Sequence, residues 1–457
     1  MTTSDVSRVS AGNLVLGSIP LALTVIVAVV ILVALPGSPA PATASADANV
    51  PSPSSNDASD GADSTPRTVE IQRLRVIHYN DFHAAFEGET WSDGTEVGGV
   101  ARLVGTIQQL RAQAAADDVP AIVVDAGDFF TGEALHSLTD GRASIEFLNR
   151  VNPDVFVIGN HEFDLGEDRL VTLLEGDPTA EPPLVGLTPT ALSANLRLEG
   201  RETPWQPYVV LERNGLRVAV VGVTTPYLLG SVDRARLSSL QVEPVQPALR
   251  RVLDDLEGQQ IDAVIVGSHC GTDVDADWMR DFEGELDLVV AGHDHAVFRF
   301  ERRVVGIPHA SAGGNGRYVG VVDLEFDAST GELITYESEL IPLRDSEPAV
   351  VRDAATADEL ESQLSAFADA QDRVIATLAD PITRSGRPQS PLGTLIADAY
   401  LRQVPDADVA IMNVGGVRAD FPKGELRVAN VEETNPFRNT LVKIWLTGRE
   451  LLAGANH

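Results

Sequence analysis

A single cysteine, Cys270, stands in 457 residues. That scarcity excludes an intramolecular disulfide framework and any cysteine-rich zinc site. It also excludes a lipid-modified cysteine just behind the N-terminal apolar segment, where none occurs. Positive charge is in deficit as well: Lys+Arg number 34 against 67 Asp+Glu, a formal net charge of −33. A chain this acidic repels phosphate backbones and is not expected to bind nucleic acid non-specifically. Acidity does not exclude a small anionic substrate, because metal ions and a few arginines can reverse the field inside one cleft. There is no internal repeat. Apolar residues make up an ordinary 44%, and the length allows large cores and more than one domain.

Leu14 to Leu35 is nearly all apolar, broken only by Ser18, Pro20 and Thr24. Arg8 precedes it, and Ala42-Thr43-Ala44 and Ala44-Ser45-Ala46 follow as small-residue cleavage candidates. Residues 1–35 therefore read as an export signal, either cleaved or kept as a signal anchor, since the run is long enough to span a bilayer. The expected location is extracellular, periplasmic or in the cell envelope. Residues 36–70, rich in Pro, Ala, Ser, Asp and Asn, bury too little apolar surface to fold and read as a disordered linker. From Leu74 onward strand-like and helix-like stretches alternate, which argues an α/β domain over 71–345. Helices are expected at Gly98–Gln113, Arg142–Val151 and Leu165–Leu174, and late strands at Gly320–Phe326 and Thr335–Ile341. Leu360, Leu364, Phe367 and Ile375 fall at helical spacing, so 346–378 reads as a connecting helix. A second α/β unit is expected over 379–457. It has a helix at Pro391–Val404, a strand at Asp408–Met412 and a turn at Gly415-Gly416, and the chain stops in one of its early helices.

Five short motifs carry the chemistry, each just after an apolar, strand-like run. They are Asp81-Phe82-His83 after Leu74–His78, Gly127-Asp128 after Ala121–Val124, and Gly159-Asn160-His161-Glu162 after Val155–Ile158. Ser268-His269 follows Ala263–Val266, and Gly292-His293-Asp294-His295 follows Leu288–Val290. A sheet presents side chains to one point in this way. Carboxylate, amide and imidazole ligands suit borderline divalent cations: Zn, Mn, Fe or Co in some mixture. Asp81 and His83 stand two apart, and on extended backbone both would face one side and grip one ion. Asp128 can bridge two ions, Asn160 offers an amide oxygen, and His269, His293 and His295 supply imidazoles. Two ions bridged by an aspartate and a hydroxide are a device for phosphoryl displacement. His161 follows Asn160 directly and should point elsewhere. Asp164 could orient and charge it, and the imidazolium could stabilise the phosphorus centre and protonate a leaving alkoxide. Alone, each motif has an ordinary reading as a turn or a packed histidine; five in order describe a two-metal phosphoesterase. Five of the nine histidines lie in these motifs. His78, His136, His309 and His457 read as structural or exposed, with His309, near the Ser311–Gly316 glycine loop, the strongest exception. Cys270 reads as a packing residue, with a soft ligand as the alternative.

These motifs resemble those of the calcineurin-like metallophosphoesterase superfamily. With Gly98-Gly99-Val100-Ala101-Arg102 and Asn160-His161-Glu162-Phe163-Asp164-Leu165-Gly166, the chain from about Leu74 to its end is similar to the 5′-nucleotidase family of secreted bacterial and cell-surface enzymes. The resemblance implies a four-layer αββα sandwich followed by an incomplete second α/β domain. It implies one metal on Asp81, His83, Asp128 and His295, a second on Asp128, Asn160, His269 and His293, and a catalytic dyad of His161 and Asp164. Asn413-Val414-Gly415-Gly416-Val417-Arg418 is similar to the family's Asn-x-Gly-Gly-x-Arg substrate motif, with Arg418 for phosphate and Asn413 for base or ribose. Asn435-Pro436-Phe437-Arg438-Asn439 resembles the segment whose phenylalanine stacks on the base. Arg384 or Arg387, ahead of Ser390-Pro391-Leu392-Gly393, would be a further phosphate contact. Family members continue well past Leu446-Thr447-Gly448, adding a second aromatic and the strands that complete the C-terminal sheet. Without them an exposed apolar edge is expected. The expected activity is an exported dinuclear-metal hydrolysis of nucleoside 5′-phosphates. The alternatives are a 2′,3′-cyclic-nucleotide phosphodiesterase with 3′-nucleotidase activity, a nucleotide-sugar hydrolase or, from another class, a catalytically weak surface binding protein.

Overall fold

The strands that position the candidate site run in chain order as β1 (Ile71–Tyr79), β2 (Ala121–Asp125), β3 (Val155–Val157), β4 (Thr190–Leu192), β5 (Tyr208–Arg213), β6 (Leu216–Thr224), β7 (Ala263–His269), β8 (Leu288–Ala291), β9 (Arg303–Val304), β10 (Ile307–Ala310), β11 (Tyr318–Asp327) and β12 (Leu333–Pro342). They form two six-stranded sheets, β12-β11-β1-β2-β3-β4 and β5-β6-β7-β8-β10-β9. This computed structural model describes residues 70–91, 93–385, 390–437 and 441–455. The expected signal, the linker up to residue 69, Arg387 and His457 lie outside the described residues.

The apolar runs that precede the motifs are the inner strands, which explains their composition. A strand covered on both faces has no solvent side and needs Val, Ile and Leu throughout. β1 pairs in parallel with β2, and β7 in parallel with both β6 and β8. Leu74, Val76 and Val124 of the first sheet meet Val218, Val220, Ile265 and Leu288 of the second in a buried layer between them. Helices α1 (Val100–Ala116) and α2 (Arg142–Val151) cover the outside of the first sheet through Leu103, Ile107, Phe147 and Leu148. Helices α3 (Val245–Leu256) and α4 (Thr272–Trp278) cover the second through Leu249, Val252 and Trp278. The stacking is the four-layer αββα arrangement.

Helix α5 (Ala354–Gln371) crosses to the second unit but ends before Ile375. Ile375 lies instead in β13 (Val374–Leu378), which pairs antiparallel with β14 (Gly424–Arg427). The helical spacing of Ile375 was thus accidental, and its β-branched neighbourhood follows the strand it can pair with. Helix α6 (Pro391–Gln403) falls as expected, capped by Ser390, whose Oγ accepts from Gly393 N–H at 3.0 Å. The expected strand at Asp408–Met412 is not formed. Among the described residues no strand lies beside it, and a strand without a ladder leaves its amides unpaired. Val409, Ile411, Val442, Ile444 and Trp445, the last 82% exposed, instead line an apolar groove with Tyr400 and Leu401.

β1 reaches the site flanked by β11, which pairs antiparallel from Ile71↔Asp327 to His78↔Gly320. His78 is fully buried, and neither ring nitrogen has a hydrogen-bond partner. Burial holds it neutral, lowering its pKa to about 4. The ring fills the space a side chain at position 320 would take: a Cβ on Gly320 would lie 2.1 Å from His78 Nε2. Gly320→Ala is therefore expected to destabilise the protein by about 1–3 kcal/mol through overpacking. Thermal melting reads the loss, and an unchanged Tm would show that the ring relocates freely.

Candidate metal centre

The two sheets present their loops to one place. The first contributes Asp81 and His83 after β1, Asp128 after β2, and Asn160 and His161 after β3; the second contributes His269 at the end of β7 and His293 and His295 after β8. Extended backbone does not aim Asp81 and His83, because β1 stops at Tyr79. Asp81 (φ 51°), His83 (φ 50°), Asp128 (φ 56°), His293 (φ 86°) and His295 (φ 54°) are all left-handed. Such backbone is unfavourable for non-glycine residues and persists only where the surroundings enforce it. Here they do. Asp81 N–H donates to Gly127 O (2.9 Å), His83 N–H to Asp128 O (3.0 Å) and Asn315 N–H to Asp81 O (2.7 Å).

Three sets of side chains bring ligand atoms within 4.8 Å of one another: Asp81, His83 and His295; His83, Asp128 and His161; and Asp128, His269 and His293. Asp128 belongs to two of them, as does His83. Asp128 Oδ2 lies 3.0 Å from His269 Nε2 and 3.9 Å from both His83 Nε2 and His161 Nε2. Asn160 joins the third set, its Oδ1 2.9 Å from His293 Nδ1.

The donor set fits divalent cations. His83 Nε2 and His295 Nε2 face each other at 2.9 Å. His269 Nδ1 donates to Ala126 O at 2.7 Å, which turns Nε2 inward, where it is buried and lacks a hydrogen bond of good geometry. An imidazole tied through one nitrogen to a backbone carbonyl and presenting the other is how histidine ligands are held. Burial, then the Arg418 guanidinium, keeps His83 well below the usual imidazole range. Burial also lowers His293 and His295 to about 4, helped by His269 and by Arg418 respectively. These three are neutral, lone-pair-bearing rings. Burial opposes charge on His269, but Asp128 and Asp81 outweigh it and raise the imidazole to about 10. Burial raises Asp81 to about 7, with Asp128 adding to it.

His161 sits beside the ligand sets. Its Nδ1 lies 2.7 Å from Asp164 Oδ2, and its backbone N–H donates to Asp128 Oδ1 at 2.8 Å. Burial disfavours its charge, but Asp164 and Asp128 prevail and hold it at about 8. The second unit reaches the same place. Arg418 Nη2 is 3.3 Å from His83 Nε2, and Phe437 stacks against the His161 ring with centroids 5.5 Å apart at 28°. Arg384 is not at the centre; its guanidinium donates to the Arg418 carbonyl, and its backbone N–H to Asp420 Oδ1. Asn413 is exposed, and its side chain makes no hydrogen bond to the centre.

Motif reading passed over three supporting groups. Glu162 is fully buried and accepts from Gly159 N–H (2.7 Å), Phe130 N–H (3.1 Å) and Asp128 N–H (3.2 Å). Asn80 donates to Asp81 Oδ2 at 2.6 Å and accepts from Ala312 N–H at 2.8 Å. Asp275, buried on α4, accepts from Ser268 Oγ at 2.6 Å and faces His309 Nε2 at 3.3 Å. That contact makes His309 a packing residue, as Cys270 is within the outer core of the second sheet. Glu162 could have been found, since a carboxylate directly after a ligand and a candidate acid needs a reason to be there.

Comparison with known proteins agrees with this geometry. Residues 74–297 match the calcineurin-like phosphoesterase family and residues 374–453 the 5′-nucleotidase C-terminal domain. The endonuclease YhcR of Bacillus subtilis (strain 168) is 27% identical over 408 residues, covering 83% of this chain and 32% of that protein. An apyrase of Tabanus yao is 27% identical over 423 residues, covering 84% and 73%. The chain thus spans about a third of the first relative and about three quarters of the second. Among solved structures, a 5′-nucleotidase precursor from Thermus thermophilus superposes with a TM-score of 0.68 at 26% identity, covering 80% of this chain and 74% of that one.

Loading the metal-free protein with Mn²⁺ or Zn²⁺ at pH 7.5 should release protons, because ligands bind deprotonated. His269, at about 10, holds a proton there and Asp81, at about 7, holds part of one. His269 stays protonated across pH 8 to pH 6 while Asp81 gains its proton, and protons increasingly compete with the metal for both groups, so metal affinity should fall as the pH is lowered through that window. Calorimetric titration in two buffers of different ionisation enthalpy counts the protons; identical heats in both would contradict the expectation.

Proposed function

Because the chain belongs to the 5′-nucleotidase family of calcineurin-like phosphoesterases, which are metal-dependent phosphohydrolases, we propose that it is an exported enzyme releasing phosphate from nucleoside 5′-phosphates at a two-ion centre. One observation carries the substrate class: the second unit places a cation and an aromatic face, Arg418 and Phe437, against the cluster of imidazoles and carboxylates. A guanidinium suits a phosphate, and an aromatic ring suits a base. Curated relatives named apyrase and 5′-nucleotidase support the same class.

Asp81, His83, Asp128 and His295 would hold one ion, and Asp128, Asn160, His269 and His293 the other. Bound ions supply Lewis acidity, activating water and neutralising charge on the phosphoryl oxygens. The chain does the rest. Arg418, with its carbonyl held by Arg384, pairs with the phosphate. Asp164 fixes the His161 ring through Nδ1, which leaves Nε2–H to hand its proton to the departing O5′. At about 8, His161 is mostly charged at neutral pH and so suited to the acid role. Phe437 offers a face for the base, with Asn413 available to base or ribose. Export rests on the apolar run Leu14–Leu35; among the described residues no helix is long and apolar enough to cross a membrane.

His161→Ala should keep both ions, measured by elemental analysis, while kcat for AMP falls by about 10²–10⁴. Loss of metal instead would reassign His161 as a ligand. Phe437→Ala should raise KM for AMP by roughly 10-fold or more, the worth of one stacked base, and leave hydrolysis of an aryl phosphate unchanged. Hydrolysis of neither AMP nor an aryl phosphate by the Mn²⁺-loaded parent protein would refute the enzymatic reading.

A further inference from the structure

We infer that Glu162 is the positioning residue that holds Asp128 between the two ion sites, by clamping the loop after β2 to the loop after β3. The inference rests on the reading of Asp128 as the shared ligand. Three backbone amides point at one buried carboxylate. Glu162 Oε2 accepts from Gly159 N–H at 2.7 Å and Asp128 N–H at 3.2 Å, and Oε1 accepts from Phe130 N–H at 3.1 Å. Two of these amides belong to the β2 loop and one to the β3 loop, so a single side chain spans the gap between them. The carboxylate is fully shielded from water, and a buried acceptor to several amides is strong because nothing competes for it.

The return contact closes the clamp. Asp128 Oδ1 accepts from His161 N–H at 2.8 Å, so each loop holds a carboxylate that binds the other's backbone. The loops interlock so tightly that a Cβ on Gly159 would lie 2.2 Å from Asp128 Oδ1. Asp128 is also left-handed, and that conformation needs enforcement from outside the residue. Glu162 supplies it at the residue's own amide and again two residues on, at Phe130. Neither the phosphate nor the ions need touch Glu162. Its action is on where Asp128 Oδ2 stands relative to His83 and His269.

Glutamine at this position keeps one acceptor oxygen and turns N–H donors toward what the other served, so the clamp loses either the Phe130 contact or both the Gly159 and Asp128 contacts. Aspartate keeps the charge but is one methylene too short to span both loops. Calorimetric titration of the metal-free chain with Mn²⁺ tests the inference directly. E162Q should bind Mn²⁺ about 10–100-fold more weakly, the usual cost of disturbing a group behind a ligand, with the stoichiometry kept and activity recovered when Mn²⁺ is raised by the same factor. E162D should be weakened likewise. Mn²⁺ affinity in E162D equal to the parent's would show that charge alone matters and overturn the clamp, as would parental affinity in E162Q. D128N is the control for the underlying reading. If D128N loses Mn²⁺ while both Glu162 variants do not, only the clamp fails; if D128N itself binds as the parent does, the shared-ligand assignment fails. A fall in Tm at unchanged Mn²⁺ affinity would mark Glu162 as merely structural and also overturn the inference.

Discussion

The Asp128 carboxylate, buried among imidazoles that come from opposite sheets, is the contact on which the rest of the structure depends. Of the imidazoles around it, His83 rides on the first sheet and His269 on the second, with Asp128 Oδ2 3.9 Å from one and 3.0 Å from the other. No single sheet could assemble such a centre. The distance between the sheets, set by Leu74, Val76, Val220 and Ile265 packing face to face, is what brings the two ligand sets within reach. The apolar layer and the polar cluster are therefore one construction: the first fixes a spacing, and the second uses it.

Burying so much unlike chemistry is costly, and the protein meets the cost locally. Unpaired charge in a core shifts its pKa or finds a partner. His83, His293 and His295 take the first course and stay neutral; His269 and Asp128 take the second and pair. Four of the left-handed residues, Asp81, His83, Asp128 and His293, are held in place by amide-to-carbonyl and amide-to-carboxylate contacts crossing from loop to loop. Arg418 enters this environment from the second unit with its own charge disfavoured by burial. A guanidinium in that position gains from any anion that reaches it.

Much of this was legible in the sequence because the inner strands have no solvent face. Continuous apolar runs ending in Asp, Asn or His mark strand ends, and all five such runs are strands. The αββα layering followed from the resemblance. What the sequence concealed was of three kinds. Local backbone geometry was hidden, so that Asp81 and His83 reach a common set by left-handed turns and not by strand alternation. Pairing was hidden: Ile375 looks helical by spacing until β14 is seen beside it, while Asp408–Met412 looks like a strand but has no neighbour among the described residues. The hairpin of β5 and β6 went unread for the same reason, since its partners are known only in three dimensions. Finally, a carboxylate such as Glu162 or Asp275 that bonds to distant amides or rings leaves no periodic signal at all.

The pairing of β1 with β11 has a consequence for the order in which the molecule comes into being. Half of the ladder that steadies the strand before Asp81 comes from Gly320–Asp327, far later in the chain. Asn315 binds the carbonyl of Asp81, and the amide of His293 donates to its carboxylate at 3.0 Å. A ribosome that has already released the first motif has therefore not yet made what holds it. Long loops must close before such contacts reward the chain. Asp81 and His83 therefore take up their final surroundings only once the chain as far as Asp327 is available to pair with β1.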